Sequence, residues 1–128
     1  MGPTDWKVVL AGLPELDLDQ GPTYEQAQAS AHALPDFHGC QLMLARFRGQ
    51  PPWEKHPGDE LIVVVEGEVE LTVLGEERET HRLGAGSLFL MPAHTWHRSN
   101  APGGVAVLVA TPPGGESSLA EDPRLESS

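Results

Sequence analysis

The sequence predicts an all-β protein assembled from short strands, and three observations carry that expectation. The first is turn density: 14 glycines and 12 prolines among 128 residues leave little room for long helices. The second is the run Leu61-Ile62-Val63-Val64-Val65, where four residues in five are β-branched and suit a buried strand better than a helix. The third is alternation. In Glu68-Val69-Glu70-Leu71-Thr72-Val73-Leu74, acidic or polar residues alternate with apolar ones, which gives a strand one wet face and one buried face.

Taken in order, the chain begins with Trp6-Lys7-Val8-Val9-Leu10, an apolar run that reads as a strand, either laid along a sheet edge or exchanged with a partner subunit. Residues 12–20 are a loop marked by proline and aspartate. Residues 24–31 have helix-favouring composition but weak apolar spacing, so one or two helical turns are expected there. Residues 1–37 are thus an extension of edge strand and loop ahead of the main domain, residues 38–111. That domain starts with a turn at 35–39 and a long alternating strand at 40–48 that ends at Gly49. Glu66-Gly67-Glu68 reads as the hairpin turn between strands 61–65 and 68–74. An edge strand at 78–83, a turn at 84–86 and a strand at 87–91 follow, and Pro92-Ala93-His94 breaks the pattern. It resumes at 95–99, loops at 100–104 and closes with a buried strand at 105–110. About seven or eight short strands at this spacing indicate a sandwich or small barrel. Residues 112–128, rich in Pro, Gly, Ser and acidic residues, read as a disordered tail.

Composition bounds the partners. With 19 acidic against 8 basic residues the formal charge is −11, which disfavours phosphate backbones and anionic lipid, so nucleic acid and membranes are set aside. No stretch reaches the ~18 to 20 apolar residues of a membrane span, and the N-terminus lacks the pattern of a signal peptide. The single cysteine, Cys40, fits a reducing cytoplasm and reads as a buried strand residue rather than a reactive thiol.

The chemistry gathers in Trp53-Glu54-Lys55-His56-Pro57-Gly58-Asp59-Glu60. Glu54 and His56 are two residues apart and share a face if the stretch is extended. The turn chemistry of Pro57-Gly58-Asp59 allows the chain to bend and return the Glu60 carboxylate beside them, with Asp59 kept as a turn residue. Glu60 precedes five apolar residues, where an unpaired buried carboxylate would be costly. Further on, His97 alternates with Thr95 and Ser99, giving a polar inward face that needs partners. His94 lies on the opposite parity and reads as a rim or surface residue; His32, His38 and His81 read as exposed. The parity that turns Glu60 inward also turns Ile62 and Val64 inward. On the strand at 40–48 either Leu42, Leu44 and Arg46 or Met43, Ala45 and Phe47 face in. An inward Arg46 would hold an acidic substrate through a charge-assisted pair; otherwise it is a surface or dimer-interface cation.

His56, Glu60 four positions on and Gly67 seven further resemble the first motif of the cupins. Gly86, five residues, Pro92, then His97 five positions beyond with Asn100 close behind, resemble the second. The resemblance covers roughly residues 40–110 and extends more loosely to small cupins with a Trp-Glu-x-His-Pro signature. It implies a cupin-type double-stranded β-helix, a jelly-roll barrel that commonly holds one metal. Three positions depart from the family pattern: Glu54 replaces a first histidine, His94 a glycine, and Asn100 falls one position early.

Carried over by position, the resemblance implies Glu54, His56, Glu60 and His97 as metal ligands. Two neutral imidazoles and two carboxylates cancel the charge of a divalent ion and make an oxygen-rich site suited to Fe(II), Mn(II) or Zn. If only His56, Glu60 and His97 bind, Glu54 is free to act as a catalytic base. The implied function is a metal-dependent oxygenase, or an isomerase or lyase-type enzyme, acting on a small molecule in the lumen, with Arg46, Ile62, Val64, Thr95 and Ser99 as substrate-binding residues. The alternative is a non-catalytic binding or sensor module, since fold alone does not decide between them. Cupins commonly pair, so a homodimer is expected.

Overall fold

The computed structural model describes residues 2–125. After helix α1 (Trp6–Ala11) come a two-residue strand β1 (Leu16–Asp17), a 3-10 turn (Leu18–Gln20), helix α2 (Tyr24–Ala29) and strands β2 (Ala31–Ala33), β3 (Gln41–Gly49) and β4 (Trp53–Lys55). The long strand β5 (Glu60–Leu74), then β6 (Arg78–Gly84), β7 (Leu88–Met91), the long strand β8 (Trp96–Thr111), β9 (Glu116–Ser118) and a final 3-10 turn (Pro123–Leu125) complete the order.

Two strands organise the rest. β5 and β8 pair antiparallel along their length, from Leu61 opposite Ala110 to Leu74 opposite Trp96. One half of this ribbon pairs with β3 and β7, the other with β6 and β4. Between the halves, Ile62, Val64, Val69, Leu71, Val73, Met91, Ala101, Val105 and Val107 form the buried core, with Phe47 and Phe89 packed against it. This is the all-β jelly-roll barrel that the sequence implies.

Where the sequence suggests a hairpin at Glu66-Gly67-Glu68 and a loop at residues 100–104, both strands instead run on without a break. The glycines at these points are bends in a continuous ladder. Gly67 has φ +77° and Gly104 φ +88°, and the pairing register shifts between Val64 and Glu66 and again between Gly67 and Glu70. Extra residues at such β-bulges sharpen the local twist and let one strand serve both sheets. A Cβ on Gly67 would collide with the Gly104 carbonyl oxygen, so the two bends meet.

Both termini also differ from expectation. Residues 6–10 are helix, neither an edge strand nor an exchanged one. Asp5 Oδ1 accepts the Lys7 N–H at 3.0 Å and the Val8 N–H at 3.5 Å, an N-cap that satisfies donors a strand would have left open. Leu10 is fully buried with Leu44 and Ala106 on the outer face of the β3–β8 sheet. Arg46 ties the helix down: its Nε donates to the Leu10 carbonyl at 2.8 Å and its Nη2 lies 2.8 Å from Glu66. The segment 24–29 is helical as expected, held by a Thr23–Gln26 capping box, but Ala31 starts a strand.

The tail is ordered where it is described: β9 pairs with β4, Trp53 opposite Ser118 and Lys55 opposite Glu116. Residues 126–128 of the expected disordered tail lie outside the described residues. Cys40 is half-buried in a turn, bridged to Phe37, rather than inside a strand. His32 and His38 are exposed as expected, while His81 is partly covered beside Phe89.

Replacing Leu10 by Ala should cost about 2–5 kcal/mol, the range for emptying a buried leucine site. Val8→Ala, at a position 70% exposed, should change stability by no more than about 0.5 kcal/mol. Urea denaturation of both variants checks this, and equal effects would contradict the helical packing.

Candidate metal centre

Short-range geometry brings the two motif regions together. β4 meets β8 with Glu54 directly opposite His97. Side chains of directly opposed residues point to the same face of a sheet, so this one pairing puts a carboxylate beside an imidazole. The turn at residues 57–59 is then clamped to the turn at 92–94. Asp59 Oδ1 accepts the Ala93 N–H at 2.9 Å, and the His94 N–H donates to the His56 carbonyl at 2.7 Å. His94, at φ +60°, acts through its backbone, and Asp59 is a turn residue as expected.

Glu54, His56 and His97 each offer a ligand atom within 4.8 Å of the others. His56 Nε2 lies 3.4 Å from Glu54 Oε2 and 3.7 Å from Glu60 Oε2, and His97 Nε2 lies 3.2 Å from Glu60 Oε1. Donors each about 2.1 Å from one ion stand roughly 3.0–3.5 Å apart at neighbouring coordination positions, so these separations fit a shared divalent ion. Of the expected ligands, Glu54 and the two histidines form the mutually close set, and Glu60 contacts both imidazoles. Either carboxylate can therefore complete a triad with His56 and His97, Glu54 from β4 or Glu60 from the start of β5.

The orientation of the rings also suits a metal. The His97 Nδ1–H donates to the Thr95 carbonyl at 3.0 Å, which leaves the Nε2 lone pair facing the cluster when the ring is neutral. His56 is buried, and neither of its ring nitrogens has a hydrogen-bond partner. A buried polar atom left this way is costly, and an ion at Nε2 would satisfy it. Gly115 packs against the other edge of that ring: a Cβ there would lie 2.7 Å from Nδ1.

Glu60 and His97 shift each other's protonation. Burial pushes Glu60 up, but hydrogen bonds with His97 and Thr111 and the charges of both imidazoles outweigh it and hold the carboxyl below its ordinary 4.5. Burial likewise pushes His97 down, yet the contact with Glu60, the Thr95 carbonyl and the charges of Glu60 and Glu54 raise it above 6.5. The Thr111 hydroxyl donates to Glu60 Oε2 at 2.7 Å from the end of β8. Glu54 is the open member of the cluster, its side chain 45% exposed against 7% for Glu60.

A cavity of about 330 Å³ opens beside the cluster and is bordered by Glu54, Glu60 and His97. Of the expected substrate-binding residues, Ile62, Ser99 and Arg46 border it, but the Arg46 guanidinium is committed to Leu10 and Glu66. Val64 belongs to the packed core instead, and Thr95 acts by orienting His97. On β3 it is Met43, Ala45 and Phe47 that line the cavity, while Leu44 packs under α1. Sequence reasoning missed Thr111 and Gly115, which are remote in the chain and carry no motif; only the register of β8 and β9 reveals them.

The chain matches a family model described as a cupin domain over residues 45–112. No curated protein matches it in sequence. Among solved structures it is similar to protein NMB1881 from Neisseria meningitidis, at 19% identity and TM-score 0.65, covering 91% of this chain and all of that one. A cupin-2 domain containing protein from Shewanella frigidimarina matches at 17% identity and TM-score 0.55 over 79% of this chain and 98% of that one. At these identities the likeness is one of fold. Hydroquinone 1,2-dioxygenase PnpCD, solved with Cd2+ and 4-hydroxybenzonitrile, is 26% identical with TM-score 0.53, covering 61% of this chain and 60% of that one.

The Glu60–His97 pair makes the metal-free protein's stability depend on pH from both sides. The contribution of His97 is complete below its ordinary 6.5 and is lost as pH rises through the raised value. That of Glu60 is complete above 4.5 and is lost as pH falls through the lowered value. Thermal unfolding of chelator-treated protein should show highest stability between those limits. His97→Gln should flatten the alkaline fall, and an unchanged profile would contradict the pairing.

Proposed function

Because the chain belongs to the cupin domain family, matched over residues 45–112 of its 128, we propose that it is a metal-dependent enzyme acting on a small molecule in the barrel lumen, of the oxygenase or the isomerase or lyase type. The observation that carries this reading is the convergence of Glu54, His56 and His97 beside a cavity of about 330 Å³. Pockets of this kind, with a few polar groups converging on one wall, are the usual place for small-molecule chemistry. The likeness to the hydroquinone dioxygenase supports an oxidative version of it.

In this reading Glu54, His56, Glu60 and His97 hold a divalent ion, Fe(II), Mn(II) or Zn. When bound, the ion supplies Lewis acidity and, as Fe(II) or Mn(II), electrons for dioxygen chemistry. The remaining work belongs to the chain. Thr95 fixes the tautomer of His97, and Thr111 orients Glu60. Were His56, Glu60 and His97 alone to hold the ion, Glu54, the most exposed of the four, would be placed to take a proton from substrate as general base.

We also infer a homodimer. Leu88 and Leu90 project from β7, at the edge of its sheet, 59% and 66% exposed, and Leu61 and Val63 of the neighbouring strand are only partly covered. These four apolar side chains on a chain of formal charge −11 suit a two-fold contact, because a patch built from them meets itself without opposing like charges. The single cysteine supports a reducing, cytoplasmic setting, and the acidic charge supports a small-molecule partner over nucleic acid.

Elemental analysis of protein purified without added metal should find about one divalent ion per chain, lost in His56→Ala and in His97→Ala. Glu54→Gln should retain most of the metal and lose turnover by roughly 100-fold, in the usual range for removing a general base. Dioxygen uptake by the Fe(II)-loaded protein with phenolic substrates tests the oxidative reading; ligand binding without turnover under any metal would instead favour a sensor or binding module. Leu88→Glu with Leu90→Glu should convert the dimer to a monomer in light scattering, and a wild-type monomer would contradict the pairing.

A further inference from the structure

The cavity combines an acidic metal cluster at one wall with apolar surface elsewhere, and among the described residues no cation is free to point into it. Two arginines border it. Arg46 is held by the Leu10 carbonyl and Glu66, and Arg98 stacks on the buried Trp53 ring, its Cζ 4.3 Å from the ring centroid. Arg98 also sits between His97 and Ser99 on β8, and alternation along a strand sends its side chain to the opposite face from theirs. The cluster adds no net charge once loaded, since two carboxylates offset a divalent ion. An anionic substrate would therefore leave water for an apolar chamber without a counter-charge, and a cationic one would find both carboxylates already engaged.

The apolar wall comes in part from outside the region that matches the family. Leu16, Leu18, Ala27 and Ala31 line the cavity, and all four precede residue 45. Leu16 and Ala31 are held there by the parallel pairing of β1 with β3 and the antiparallel pairing of β2 with β3, and Leu18 and Ala27 lie in the adjoining 3-10 turn and α2. Facing the chamber as well is Ser99, whose hydroxyl makes no hydrogen bond to another described residue, two positions along β8 from His97. A volume of about 330 Å³ stands at the small end of ligand pockets.

We propose that the lumen takes an uncharged, mainly apolar molecule of about one substituted ring, with a single hydroxyl or carbonyl group directed to the metal and Ser99, and that residues 16–31 form the wall that selects it. This rests on the metal-centre reading and narrows it to a substrate class.

Three probes share a skeleton and differ in charge: benzyl alcohol, benzoate and benzylammonium. Calorimetric titration of the full-length Zn-loaded protein should show benzyl alcohol binding at least tenfold more tightly than either ion. Ala27→Trp should weaken benzyl alcohol at least tenfold with metal content unchanged, and Leu18→Lys should reverse the preference between benzyl alcohol and benzoate. Benzoate or benzylammonium binding as tightly as the alcohol, or no binding by any of the three, overturns the substrate class. An Ala27→Trp variant that keeps full affinity overturns the role of the N-terminal wall. Metal content measured on the same samples separates these failures from failure of the metal centre, which would appear as protein that takes up no zinc while the order of the probes is still read.

Discussion

The antiparallel pairing of β5 with β8 is the constraint on which the rest depends. Because the two strands are long and bend together where Gly67 meets Gly104, each contributes to both sheets, and the core between the sheets is filled by alternate residues of the same two strands. A one-residue slip in this register would turn Ile62, Val64 and Val107 outward and move His97 away from Glu60. Fold and site are thus fixed by one ladder. What β4 adds is a single register pair, Glu54 with His97, and the two turns clamped through His94 and Asp59 fix its approach.

Much of this was legible in the sequence because it depends on local alternation. The β-branched run at 61–65, the turn at 57–59 and the parity of His97 with Ser99 are short-range patterns that indicate a sandwich or small barrel with inward polar groups, and the resemblance of the two motifs to the cupins adds the jelly roll and the ligand set. Features set by distant contacts were not legible. Gly67 and Gly104 have the composition of turns, and only the pairing of each with the opposite strand makes them bulges within a continuous strand. The six-residue helix α1 is too short to show a helical period, and its cap, Asp5, competes with a run of valines that reads as strand. Arg46 could not be assigned between lumen and surface because its partners are Glu66 and a carbonyl 36 residues away.

The segments outside the family-matched region complete the domain. The N-terminal part covers the outer face of one sheet through Leu10 and lines the lumen through Leu16 and Ala27. At the other end of the chain, β9 gives β4 three register pairs where β8 gives it one, and Gly115 packs on the His56 ring. Composition alone made residues 112–118 resemble a solvated tail. Their order comes from a strand edge that offers unpaired backbone groups, which is a property of the neighbour and not of the segment.

That arrangement has a consequence for the order of assembly. β4 shares three register pairs with residues 116–118 and one with β8, so part of its backbone pairing waits on a contact spanning some 60 positions of the chain. Long-range closures of this kind are slow compared with hairpins and helices. The ladder of β5 with β8 can form first, while the second backbone partner of β4 and the glycine edge of His56 come from the last segment of the chain. The ion-binding wall therefore draws part of its support from a long-range pairing and not from the core ladder alone.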